Sequence, residues 1–228
     1  MTDIDHRTRN RALSRGRNML FVRTILLNAI CYFGAGYAAL GNAYEIAPIP
    51  LDGWIGFNVY AVYPYFSFFV MIWLSLVSAK DDRRAHELSV LIPMSAFLAA
   101  PVYLAFPMFV AASPVVVSEV DWMTQVIYSA MKSDTTLTYM PSLHGAITAI
   151  CVAYLCRGAS NSAKFAFLAW GIAIYWSAIS LRQHLSLDIV VGMVFGLAIL
   201  TVRRRLLAAC SAVGIKCPPD RAQMRTPA

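Results

Sequence analysis

Two histidines and an aspartate are the residues of this chain best suited to chemistry. His184 and Asp188 stand four apart in Leu181-Arg-Gln-His184-Leu-Ser-Leu-Asp188, a spacing that puts both on one face of a helix. A carboxylate there can accept the ring N–H, fix the tautomer and leave the other nitrogen as a lone-pair nucleophile or base. His144, in Tyr139-Met-Pro-Ser-Leu-His144-Gly, supplies the second proton-transfer group that acid–base catalysis needs. Pro141 and Ser142 suit a turn into a helix whose free N–H groups welcome an anion. Arg182 is the obvious phosphate cation, able to bind bidentately, and Lys132 is a weaker second candidate. Two histidines, a carboxylate and an arginine at one face read as phosphoryl transfer that calls for neither metal nor cofactor. The residues alone leave a blander reading equally open, because a His–Asp pair four apart can also be a structural hydrogen bond.

The elements that must hold these groups together are those of a membrane protein. Of 228 residues, 59% are hydrophobic and 14% charged, against roughly 45–50% and about 25% in a soluble domain. Soluble globular, disordered and disulfide-scaffold classes are thereby excluded. Six apolar stretches, at 19–40, 57–79, 88–112, 144–155, 165–181 and 187–202, predict an all-α bundle of six transmembrane helices, the fourth and sixth needing flanking residues to complete a span. The domain plan is a basic segment at 1–18, a membrane domain at 19–203 and a tail at 204–228.

The chain carries 19 basic residues against 12 acidic ones, a net +7. Sixteen of the nineteen precede the first span, follow the sixth, or lie between the second and third or fourth and fifth. Only Lys132 and Arg182 fall on the opposite face. The positive-inside rule puts both termini in the cytoplasm and the histidines at the outer face, most simply of a cell's inner (plasma) membrane. Basic residues spread over four juxtamembrane segments, with no recognition motif, argue against nucleic-acid binding. No span carries the acid pair or broken repeat of a transporter. The five cysteines show no metal or disulfide spacing. The helical spacing within 119–131 predicts a short helix lying in the interface, with Ser118 as its N-cap. Trp54 reads as an aromatic-belt anchor.

Pro141-Ser-Leu-His144, and His184-x-x-x-Asp188 followed by Gly192, resemble the second and third signatures of the type 2 phosphatidic acid phosphatase superfamily. The run PIPLDGWIGF, the tyrosine-rich span after it, and PVYLAFP before the longest loop are similar to one branch. That branch includes inositol phosphorylceramide synthase and is close in signature to the sphingomyelin synthases. The resemblance runs from Pro48 to Gly192. It implies that His184 attacks phosphorus to form a phosphohistidine and that Asp188 orients it. His144 would protonate the leaving group and then activate a water or alcohol acceptor. The implied substrate is a phospholipid or lipid phosphate met within the membrane, bound with help from Arg182, Ser142 and Lys132; no protein partner is implied.

Two departures bear on the substrate. The family's first signature, a Lys and an Arg-Pro at the outer end of the third span, has no counterpart in FPMFVAASP. The Arg that the phosphatases carry six residues before the nucleophilic histidine is Ala178. A phosphate monoester or pyrophosphate carries about two or more charges and wants several cations, whereas a phosphodiester carries one. Scarce cations lean towards a phosphodiester donor and headgroup transfer. The alternatives are a lipid phosphatase and, from another class, a catalytically weak lipid-binding or scaffold protein.

Overall fold

The computed structural model of the protein describes residues 3–39, 42–110, 120–132, 137–212 and 214. In chain order the elements are α1 (Asp3–Ala38), β1 (Tyr44–Glu45), α2 (Pro50–Trp54), a single 3-10 turn at Val59–Ala61, α3 (Val62–Val77), α4 (Asp82–Ala105), β2 (Met108–Phe109), α5 (Trp122–Lys132), α6 (Leu143–Leu155), α7 (Asn161–Ser180) and α8 (Ser186–Ala212). Five helices among the described residues are long and apolar enough to cross a membrane: α1, α3, α4, α7 and α8. The fourth expected span is α6, whose 13 residues reach only about 20 Å.

Two boundaries differ from the sequence expectation. The third span stops at Ala105, not 112. Phe106 precedes Pro107, which lacks an N–H and pushes its predecessor out of the helical region. Beyond it Met108 and Phe109 pair in parallel with Tyr44 and Glu45, so the otherwise helical fold carries one small β-pair. The sixth span runs past 202 to Ala212 and takes Arg203, Arg204 and Arg205 into α8.

The short helix expected within 119–131 is present as α5 (Trp122–Lys132). Asp121 caps it, its carboxylate accepting the Thr124 N–H at 2.9 Å and the Thr124 hydroxyl at 2.6 Å; Ser118 lies outside the described residues. Thr124 and Met131 are buried while Trp122, Met123 and Val126 are exposed, the two-faced pattern of a helix lying on a surface. The Tyr63 and Thr124 hydroxyls, 2.8 Å apart, tie α5 to α3.

Helix α6 is central because α8 can approach it so closely. A Cβ on Gly192 would overlap the Ser142 carbonyl, one on Gly196 the Ala146 carbonyl, and one on Gly145 would lie 2.6 Å from the Ile189 oxygen. Small residues at such a crossing let backbones touch, which is how helices gain van der Waals contact where no hydrophobic force drives them together. The main core fills the space between α3, α4 and α6 with Met71, Leu76, Leu88, Ile92 and Ile150. A smaller core under the α7–α8 turn contains Val62, Ala178, Leu181 and Ile189.

The bundle has two chemically different ends. At one, the Arg17 guanidinium donates to the Val77 carbonyl at 2.7 Å, and Lys80, Arg84 and Arg157 line one small cavity. His144 and His184 lie towards the other, where His144 packs on Tyr65 and Phe68 in the first half of α3.

Candidate active site

His184 sits in the turn between α7 and α8, not on a shared helix with Asp188, which lies in the first turn of α8. The expected pairing still forms, because the turn folds back. His184 Nδ1 is 3.0 Å from Asp188 Oδ2. The Ala178 carbonyl accepts the backbone N–H groups of both Gln183 and His184, at 3.1 and 3.2 Å. His184 is 7% exposed and Asp188 fully buried. A carboxylate accepting Nδ1–H leaves the lone pair on Nε2. That nitrogen points at His144, whose Nδ1 is 3.4 Å away.

Ser142 caps α6, its hydroxyl accepting the Gly145 N–H at 3.2 Å while standing 3.5 Å from His184 Nε2. Its own N–H meets the Asp188 carbonyl at 3.4 Å. His144, two residues on, is packed between aromatic rings, stacked on Tyr65 at 4.6 Å and tilted against Phe68 at 4.5 Å between centroids. His144 Nε2 and Asp188 Oδ1 are buried without a hydrogen-bond partner among the described residues. The sequence-predicted trio and Ser142 thus converge from the start of α6 and the turn into α8, with His144 and His184 40 residues apart in sequence.

A cavity of about 350 Å³ opens beside the two imidazoles, walled by α1, α3, α5 and α6. Its lining is mainly aliphatic and aromatic, with Tyr139 and Gln183 near the histidines and Asn28 on α1. Phe33 and Phe69 flank it and are each 39% exposed, so it opens sideways between α1 and α3. No lysine or arginine is among its described lining residues.

The two expected cations stand outside that lining. Lys132 ends α5, with Nζ 5.8 Å from the centre of the Tyr128 ring, and desolvation lowers its pKa from the ordinary lysine value. Arg182 adopts φ 55°, a left-handed conformation that costs a non-glycine residue about 1–2 kcal/mol. Its Nη1 donates to the Asp52 carbonyl at 2.7 Å.

Asp52 is the functional neighbour that sequence reasoning missed. Its side chain is 1% exposed. One carboxylate oxygen accepts both the N–H and the hydroxyl of Ser186, each at 2.6 Å; the other accepts the Ile49 N–H at 2.8 Å. Negative charge at the first N–H of α8 is favoured by the helix dipole. The loop is pinned again by Ser180, whose hydroxyl donates to the Gly56 carbonyl at 2.8 Å. The available signal was a lone acid inside an otherwise apolar run.

Ala178, where the resembling phosphatases carry an arginine, is fully buried in the smaller core. The cation scarcity is therefore built into the packing.

Over residues 48–202 the sequence matches the family profile described as the PAP2 superfamily. Its members are typically phosphatases and phosphotransferases acting on lipids. No curated protein and no solved structure matches significantly. The match spans both histidine-bearing turns and more than half of the sequence, and on it the chain belongs to the PAP2 superfamily.

Proposed function

We propose that the protein is an integral-membrane enzyme that transfers phosphoryl groups of lipids through a phosphohistidine at His184, acting chiefly as a headgroup phosphotransferase similar to inositol phosphorylceramide synthase. The observation that carries this reading is the Asp188–His184–His144 relay, with one imidazole nitrogen held by a carboxylate and the other facing a second imidazole. The His184 Nε2 lone pair attacks phosphorus, and the bond from phosphorus to the leaving oxygen breaks. His144 gives that oxygen its proton, then takes one from the incoming alcohol or water, whose oxygen displaces His184. Asp188 stabilises the imidazolium character that develops on His184. Ser142 and the first N–H groups of α6 receive the phosphate oxygens. One of the five N–H groups of Arg182 is occupied by Asp52, and the others serve the phosphate as it arrives.

With no lysine or arginine among the described lining residues and Arg182 left to meet the phosphate from outside them, the cavity supports a singly charged phosphodiester over a monoester, since each further charge drawn out of water needs a compensating partner. We place six helices across the bilayer, with α6 completed by its flanking residues. Both termini face the cytoplasm of a plasma-type membrane and the histidines face away. The clustering of Arg17, Lys80, Arg84 and Arg157 at the end remote from the histidines supports that orientation.

The deciding experiment is phospholipid turnover by the purified protein in detergent with EDTA present, following free phosphate and transferred headgroup separately. Headgroup transfer lost in His184→Ala is the expected result. Phosphate release alone, lost in the same variant, would make the protein a lipid phosphatase. Turnover that survives His184→Ala overturns the nucleophile assignment, and no product from a broad lipid panel favours a lipid-binding protein without catalysis.

A further inference from the structure

Asn28 is one of the polar groups lining the cavity beside the histidines that the mechanism does not use. Asn28 lies near the middle of the span Gly16–Ala38, lines the cavity, and has its Oδ1 buried without a hydrogen-bond partner among the described residues. A carboxamide at that depth is costly unless something pairs with it. Among the described residues nothing pairs with that oxygen.

Its level relative to the chemistry can be read from neighbouring rings. Tyr32, four residues further along α1, meets the Tyr103 ring at 6.4 Å. Tyr103 in turn donates to the Pro141 carbonyl at 2.5 Å, in the turn that delivers Ser142 and His144. Tyr32 is therefore level with the catalytic turn, and Asn28 is one helical turn, about 6 Å, deeper. On the facing wall Ile147 and Ile72 lie one turn below His144 and Phe68, and both line the same cavity. Below Asn28 the α1 wall continues with Ile25, which offers only hydrocarbon.

In a lipid bound with its phosphate at His184 and its chain along α1 and α3, the group at that depth is the polar backbone a few bonds from phosphorus. We propose that Asn28 is the subsite reading that backbone, its buried oxygen accepting a hydrogen bond from a free hydroxyl or amide N–H on the lipid. A donor lipid whose backbone is fully esterified offers no such hydrogen. A site built to pair with a hydroxyl or N–H discriminates against the analogue lacking it, because its own polar group is then left buried and unpaired. The specificity-determining residue thus sits on the first helix, outside the segments that carry the histidines. This inference rests on the lipid reading above.

The test is equilibrium binding to the full chain in nonionic detergent, carried out in a His184→Asn background so that no turnover intervenes. The probes are a monoacylglycerol phosphocholine with its free hydroxyl and the same molecule with that hydroxyl replaced by hydrogen. The hydroxyl lipid is expected to bind about tenfold tighter or more. In Asn28→Leu the preference should fall to about onefold, through loss of affinity for the hydroxyl lipid alone. Equal affinities with Asn28 in place, or a preference that survives Asn28→Leu, overturn the assignment. Binding of neither lipid overturns the phosphodiester-lipid reading instead. Should Asn28→Leu fail to fold, Asn28→Ala and the ratio in the Asn28 protein still decide the question.

Discussion

Asp52 accepts both the backbone N–H and the hydroxyl of Ser186 through one carboxylate oxygen, across 134 residues of sequence. That pair of hydrogen bonds fixes where α8 begins, two residues after His184 and two before Asp188. In Asp52→Ala the Ser186 groups are left buried and unpaired, at about 1–3 kcal/mol each. Thermal unfolding in detergent should shift down accordingly. Turnover should fall even at temperatures where the variant remains folded, because the proposed nucleophile His184 and its partner Asp188 lose their common anchor.

Asp188→Asn tests orientation without changing size. An amide can present its NH2 group to Nδ1 and so hold the wrong tautomer, with the proton on Nε2. By analogy with other carboxylate–histidine relays, kcat should drop about 10³- to 10⁴-fold, with little change in melting temperature. A drop confined to KM would speak against the tautomer argument.

The close crossing of α6 and α8 makes a sharp prediction about glycine. Gly192→Ala drives a methyl group into the Ser142 carbonyl, backbone that cannot step aside. It should cost about 1–3 kcal/mol and displace the Ser142 cap from His184. Gly34→Ala is the control. It lies within α1 and would meet nothing within 4 Å, so it should be neutral or stabilising by up to about 1 kcal/mol.

Restoring the arginine of the resembling phosphatases should not restore their chemistry. Ala178 is fully buried among Val62, Leu181 and Ile189, and Ala178→Arg would place a charge there without a partner. Loss of folded protein on size-exclusion chromatography is expected, with no gain in phosphate monoester hydrolysis.

Acid should loosen α5 first. Hydrogen bonds from the Thr124 hydroxyl and N–H hold the Asp121 carboxyl below its ordinary pKa. A depressed folded-state pKa contributes stability that is complete above the unfolded value and lost as pH falls through the folded one. Hydrogen exchange of the α5 amides should therefore accelerate below about pH 4, the ordinary range for aspartate. Thr124→Val should move the onset to higher pH.

The candidate trio of His144, His184 and Asp188 was legible because ionisable groups in an apolar sequence stand out against their background, and the apolar runs located the helices beside them. The end of α4 was misplaced although Pro107 was in plain view, since a hydropathy window averages over one breaker. Arg182 was readable as a cation, but its partner is a backbone carbonyl 130 residues away, and backbone groups leave no trace in composition. Asp52 was hidden for the same reason: its partners come from Ser186, in a turn that only the fold brings near. Asn28 passed as one polar residue in an apolar run, because the cavity it faces is assembled from four helices.

The sideways mouth between Phe33 and Phe69 has a kinetic consequence. Only 17% of the membrane-length part of α1 is buried inside the protein, so in a bilayer much of the wall bounding that mouth would face lipid. A reactant entering there arrives by two-dimensional diffusion and never crosses water. The concentration that sets the rate is then its mole fraction in the bilayer. Adding inert lipid at a constant total amount of reactant should slow turnover, while changing the aqueous volume should leave it unchanged.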